Sequence, residues 1–176
     1  MSKTDTVSPP SGNQQGPDTA RFRAALRHHP AGVVIVTADV AGEPVGLTAT
    51  SFTSVSLTPP LVSFYVATSS TTWPRLRLAD SFAVHLLGEE QADLAARFAA
   101  KGADRFAPPT RWTRGAGGIP LLDGGTVRLV CARHETRLIG DHWLVVGEVT
   151  HSQVHADPPP PLLYHQGAFG GFTALP

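Results

Sequence analysis

Residues 44–67 read PVGLTATSFTSVSLTPPLVSFYVA, and how this stretch is taken decides what the chain can be. From Gly46 to Ser56 it is almost wholly small or hydroxyl-bearing, with Leu47, Phe52 and Val55 the bulky exceptions. From Leu61 to Val66 it is a short apolar run rich in strand formers. The first half is too polar for a good core and has the composition of a binding surface. Small side chains let a planar group lie against the backbone, and the hydroxyls of Thr48, Thr50, Ser51, Thr53 and Ser54 can donate to anionic oxygens without bringing charge. A second cluster, Ser69-Ser70-Thr71-Thr72, follows the apolar run and leads into Trp73-Pro74. Proline just inside a helix after a threonine cap predicts a helix N-terminus, whose free N–H groups favour an anion. One hydroxyl cluster alone is as a rule a solvated sheet face; two flanking a single strand shift the reading toward a ligand site.

On either side of this stretch the chain is punctuated into short elements. Residues 1–17 are Ser, Pro, Gly, Gln and Thr with little that is apolar, and predict a disordered tail ahead of one domain over 18–176. Asp18 or Thr19 caps a helix with Phe22, Ala25, Leu26 and His29 on one face, stopped by Pro30-Ala31-Gly32. Residues 33–38 predict a buried strand, 39–42 a hairpin turn and 44–51 the returning strand, continuing past Pro59-Pro60 into another. Beyond the helix at Pro74 come a strand over 82–87 and a helix over 89–100, with Leu94, Arg97 and Phe98 at helical spacing. Residues 101–118 are irregular, a loop over the site or an arm to a partner subunit. Residues 126–137 and 142–151 predict a hairpin around 139–141; a proline linker at 157–161 leads to a short strand at 162–164 and a glycine-rich end at 167–171. Many short strands, few helices and no βαβ alternation make the expected fold mainly β, an antiparallel barrel.

Composition narrows the function. Fourteen basic and fourteen acidic residues give a formal net charge of zero, which argues against nucleic acid or an anionic membrane as partner. The single cysteine, Cys131, excludes an internal disulfide, suits a cytoplasmic protein, and sits mid-strand as a core thiol rather than a nucleophile. There is no G-x-G-x-x-G after a strand, no Walker loop and no G-x-S-x-G elbow, and the pairs His28-His29 and His151/His155 lack the partners of a metal site, so no metal is expected.

The order of these pieces resembles the short-chain flavin reductases with an FMN-binding split-barrel fold, which serve two-component monooxygenases. The matching residues are 22–27, 31–37, 46–66, Ser81 to Leu87, Ala96-Arg97-Phe98, Asp104-Arg105-Phe106, Gly140-Asp141-His142, Gly147-Glu148-Val149 and 161–164, so the likeness runs from about Asp18 to the end. It implies a homodimeric NAD(P)H:flavin oxidoreductase, with FMN or FAD accepting a hydride from NADH or NADPH and passing by diffusion to a separate monooxygenase. The flavin ring is expected along Pro44, Val45, Gly46, Leu47, Thr48 and Tyr65, Val66, Ala67. Its phosphate is expected among Thr50, Ser51, Ser70, Thr71, Thr72 and Trp73, with Arg97, Phe98 and Ala99 alongside. His142, by itself a surface turn histidine, becomes through the resemblance the residue beside the nicotinamide, and the ending at Gly167, Ala168 and Phe169 closes over it or frays. Arg97 supplies a cation to the phosphate or is solvated. A flavin carrier or sensor on the same barrel, or a barrel holding another redox ligand such as haem or a deazaflavin, remain the alternatives.

Overall fold

The computed structural model describes residues 18–175; the tail expected over 1–17 lies outside that span. Asp18 caps α1 (Thr19–Leu26), its carboxylate accepting from the Ala20 amide at 3.3 Å. After β1 (Ala31–Gly32), the strand β2 (Val34–Val40) turns through Ala41-Gly42 into β3 (Glu43–Ala49). Both turn residues have positive φ, 55° and 85°, the geometry that matches the twist of paired strands. The Asp39 carboxylate secures the turn by accepting from the Gly42 amide at 2.8 Å.

β4 (Thr53–Leu57) and β5 (Pro60–Ala67) form a hairpin of their own, so the polar half of the central stretch holds a second strand that its composition concealed. β4 is nearly all exposed and lies at the sheet edge, where no hydrophobic alternation is needed. α2 (Trp73–Leu76) is one turn long, then β6 (Ser81–Leu86) leads to a 3-10 turn (Glu89–Gln91) and α3 (Ala92–Ala99). The segment read as irregular, 101–118, contains β7 (Trp112–Arg114), which pairs with β8 (Pro120–Leu122) just beyond it. The long hairpin β9 (Val127–Ile139) and β10 (His142–Val154) matches the expected pair, and β11 (Leu163–His165) and β12 (Ala168–Gly170) end the chain.

Seven strands form one antiparallel sheet in the order β3-β2-β6-β9-β10-β5-β4. β3 and β5 touch as the sheet curls round, yet share no ladder, which leaves the barrel split between them. Its interior is filled by Val34, Val36, Val45, Leu47, Phe64, Phe82, Val84 and Val145, together with Cys131, whose thiol burial pushes up to about 12. β3 therefore belongs to the core after all: Val45, Leu47 and Ala49 point inward, and the one hydroxyl among them, Thr48, donates to the Ala95 carbonyl at 2.6 Å. A second core, with Val33, Ile35, Leu87, Phe98, Leu122 and Leu162, lies outside the barrel wall under α3. β1, β11 and β12 form a separate three-stranded sheet beside α1.

The segment after α3 packs on its own subunit. Arg114 bonds the Asp39 carboxylate at 2.5 Å and the Gly42 carbonyl at 2.7 Å, while Phe98, Phe106 and Trp112 form a chain of edge-to-face rings with centroids 5.2 and 5.3 Å apart. Within one subunit, residues 101–118 thus fold back onto β2, β3 and α3.

Candidate functional site

The groove lies where β3 and β5 part. One lobe, about 260 Å³, is walled by Leu47, Thr48, Tyr65, Val66 and Ala67, by the cluster from Ser69 to Thr72, and by Phe98, Ala99 and Lys101. A second lobe, about 430 Å³, runs along Pro44, Val45 and Gly46 and is closed by Arg75, Asp104 and Phe106. The two share Thr71, Thr72 and Arg105 as a common wall.

Arg105 is the keystone of that wall. Its guanidinium donates to Thr72 Oγ1 at 2.6 Å, to the Gly46 carbonyl at 2.8 Å and to the Ala100 carbonyl at 2.8 Å, tying α2, β3 and α3 together. Its buried Nε has no partner among the described residues. With Lys101 it makes this the cationic part of the groove. Sequence reasoning quoted Arg105 within Asp104-Arg105-Phe106 but gave neither residue a ligand role, because they sit in the segment without periodicity; the signal was two cations within 101–105, directly after a helix whose residues were already assigned to the ligand.

The hydroxyls divide into those already engaged and those still free to act. Ser51 Oγ accepts from the Tyr65 amide at 2.9 Å and returns its proton to the Tyr65 carbonyl at 3.3 Å, so it splices the loop before β4 onto β5. Ser70 Oγ accepts from the amides of Thr72 and Trp73, both at 3.3 Å. The N–H groups expected to hold an anion are thus partly satisfied by Ser70, and Thr72 makes no side-chain cap. Thr72 Oγ1 accepts from Arg105 and keeps its own proton to give; Thr71 makes no side-chain bond among the described residues.

Several expected residues are placed elsewhere. Trp73 is buried and stacks on Trp143, centroids 5.6 Å apart, lining neither lobe. Arg97 points away from the hydroxyls into a different cavity beside Glu90 and Asp93, because it falls on the opposite side of α3 from Ala95 and Ala99. Gly46 does admit a flat ring, but the ring is that of Phe98: a Cβ at Gly46 would lie 2.8 Å from Phe98 Cε1.

His142 opens β10 opposite Ala67, so it shares a sheet face with the residue that ends the groove's floor. Its Nδ1 is 2.7 Å from Asp141 Oδ1. That hydrogen bond holds the exposed Asp141 carboxyl below the usual range, helped in last place by the charge of Arg23. Thr50 and Gly167 line a third cavity, about 500 Å³, between α1 and the β11–β12 turn. Phe169 does not fray; it packs edge-to-face on Tyr164 at 5.4 Å within the small sheet. No group of three or more metal-ligating side chains occurs among the described residues.

Over residues 26–173 the chain matches the family model described as the flavin reductase like domain. It is 47% identical over 159 residues to an NADH:FMN oxidoreductase of Rhodococcus erythropolis, spanning 88% of this chain and 82% of that one. It is 36% identical to the reductase subunit of a flavin-dependent monooxygenase of Rhodococcus jostii, spanning 88% and 78%. Among solved structures, the NADH:FAD oxidoreductase of Streptomyces globisporus superposes with a TM-score of 0.82 at 34% identity, over 97% of this chain and 96% of that one.

Proposed function

The chain belongs to the flavin reductase-like domain family, and from that membership we propose how its residues carry out NADH-dependent flavin reduction for a separate monooxygenase. The observation that carries the assignment of roles is the two-lobed groove: apolar along Leu47 and Val66, cationic and hydroxyl-lined at Arg105, Lys101, Thr71 and Thr72. A flavin nucleotide has the same division, an apolar tricycle and an anionic tail. The lobes together fall within the roughly 300–1,000 Å³ usual for such ligands. Flavin bound there supplies the hydride-accepting ring.

The chain's own work is positioning. Pro44 to Thr48 and Tyr65 to Ala67 flank the ring; Thr71, Thr72, Lys101 and Arg105 hold phosphate, a role the sequence had given to Arg97. His142, fixed by Asp141, stands at the open end as the contact for nicotinamide, with Gly167 across a cavity from α1 and Ala168 and Phe169 following it in the small sheet. The engaged hydroxyls of Thr48, Ser51 and Ser70 shape the walls rather than the ligand bonds.

FMN and FAD both suit a two-lobed groove, and its open sides favour flavin as a substrate that enters oxidised and leaves reduced. A homodimer accounts for apolar groups left uncovered: no residue of α1 is buried, Phe22 and Leu26 are 53% and 55% exposed, and Leu57 on edge strand β4 is 91% exposed. No described helix is long and apolar enough to cross a membrane; the lone cysteine supports a cytoplasmic protein.

The test is anaerobic mixing with flavin and NADH, following the loss of flavin absorbance, then coupling across a membrane that passes flavin but not protein to a reduced-flavin acceptor. Bleaching with turnover across the barrier is expected. Binding without bleaching would instead make the protein a flavin carrier, and bleaching without transfer would make the flavin a resident group.

A further inference from the structure

The cavity between α1 and the C-terminal hairpin is larger than either lobe of the groove, and its charge is one-sided. Arg23 and Arg27 reach it from successive turns of α1, His29 joins them from the helix end, and no carboxylate lines it. Two arginines four residues apart on one helix face repel each other unless an anion sits between them. Asp141, on the β9–β10 turn, feels the charge of Arg23 and is already hydrogen-bonded to His142.

The chain spends structure on holding this arrangement. Arg27 donates to the Gln166 carbonyl at 3.3 Å, and the Gln166 amide donates back to the Arg27 carbonyl at 3.1 Å. Gln166 and Gly167 form the hairpin turn with φ of 51° and 90°. A Cβ at Gly167 would lie 2.9 Å from Arg27 Nη2, so the glycine is what lets the guanidinium rest against the turn. Most of the five N–H donors on Arg27 stay available, and the Arg23 side chain makes no hydrogen bond among the described residues.

We propose that this cavity receives the phosphate-bearing part of the nicotinamide nucleotide, with Arg23 and Arg27 as its anion ligands. The inference rests on the reductase reading and names the residues that would hold its electron donor. Tyr164 and Leu26 supply an apolar wall for a base or ribose. Thr50 lines this cavity and Thr48 the flavin groove, only two residues apart along the chain, or roughly 7 Å in extended geometry. A dinucleotide anchored at α1 can therefore reach the groove with its other end.

The experiment compares the full-length protein with R23A/R27A and with R23K/R27K, by calorimetric titration with ADP-ribose, NAD+ and FMN and by steady-state kinetics with NADH at several salt concentrations. R23A/R27A is expected to raise the KM for NADH tenfold or more, as for loss of charge-assisted bonds to phosphate. ADP-ribose binding should be lost, with FMN affinity within twofold and kcat retained, the pattern of uniform binding. The lysine pair should recover part of the effect, and the KM of the unsubstituted protein should rise with salt. Unchanged ADP-ribose binding overturns the proposal. So does a loss confined to FMN, which would give the cavity to the flavin phosphate, or conversion of a dimer to a monomer with both substrates affected alike, which would make the arginines interface residues. A native protein that binds ADP-ribose yet fails to bleach flavin would retire the reductase reading while leaving this site standing.

Discussion

The barrel and the small sheet beside α1 use the same kinds of residue and treat them in opposite ways. Val36, Phe82 and Val84 in the barrel are essentially inaccessible, whereas Phe22 and Leu26 on α1 and Tyr164 and Phe169 on the small sheet all keep a third or more of their surface in water. The barrel fills its own interior and leaves apolar groups open at its margins, at Leu57 on the edge strand and Leu138 and Ile139 by the β9–β10 turn. The outlying sheet and α1 leave their apolar groups open, and it is there that the proposed nucleotide site and subunit contact fall. Rigid support and open contact surface have thus been divided between two regions, and the groove lies on the firm side of that division.

Removing a ring from each region gives the widest contrast. Phe98→Ala empties a fully buried position between α3 and the barrel and is expected to cost about 3–5 kcal/mol in a denaturant titration. Phe22→Ala should cost no more than about 0.5 kcal/mol in dilute protein, while weakening self-association measured by sedimentation. Equal losses of stability in the two variants would break the comparison, because α1 would then be a folded-core element whose cover is obligatory.

The barrel also carries a buried acid-sensitive group. His85 is buried against Thr37, whose Oγ1 lies 3.0 Å from His85 Nε2 and donates to the Pro120 carbonyl. Burial first, then the charge of Arg128, lowers its pKa to about 3. Below about pH 6.5 the unfolded chain takes up a proton here that the folded protein refuses, so stability should fall as pH drops from 6.5 toward 3, by up to about 1.4 kcal/mol per pH unit. His85→Gln should flatten that limb in denaturant titrations at pH 4 to 7. A slope unchanged by the substitution would move the acid-sensitive group elsewhere, the small sheet included.

At the groove itself, Arg105→Lys keeps the charge and gives up the three-way fork, and should weaken flavin binding by about 1.5–3 kcal/mol in a fluorescence titration. Full retention of affinity would show that the wall stands without it. The smallest effect belongs to the border between the regions: His142→Ala should raise the KM for NADH about threefold with kcat little changed, near 0.7 kcal/mol. A larger effect on flavin binding than on NADH would put His142 on the barrel's side of the boundary.

The barrel was legible because its strands carry their own signals. Residues 33–38, the Gly42 turn and the β9–β10 hairpin follow from hydrophobic runs and turn residues. Long-range satisfaction has no such local signature. The hydroxyls of Thr48, Ser51 and Ser70 read as ligand donors, yet their partners are Ala95, the Tyr65 backbone and two α2 amides, and only the fold says so. Arg97 and Arg105 differ in the same way: the first lies on a helix that could be read and lines a cavity away from the hydroxyl cluster, the second lies in a segment with no period and is drawn in by Gly46 and Thr72, distant in sequence. The β4 strand was hidden because an exposed edge needs no apolar alternation.

Reduced flavin released into air reacts with dioxygen and yields hydrogen peroxide, so a reductase of this kind works beside an oxidant of its own making. The chain offers it little sulfur. Its only methionine is Met1 and its only cysteine is Cys131. The cysteine lies wholly inside the barrel with its thiol pushed up to about 12, far from the thiolate form that peroxide attacks. The same packing that fills the barrel thereby shields the enzyme's one thiol, and activity is expected to outlast peroxide exposures that inactivate proteins with accessible thiolates.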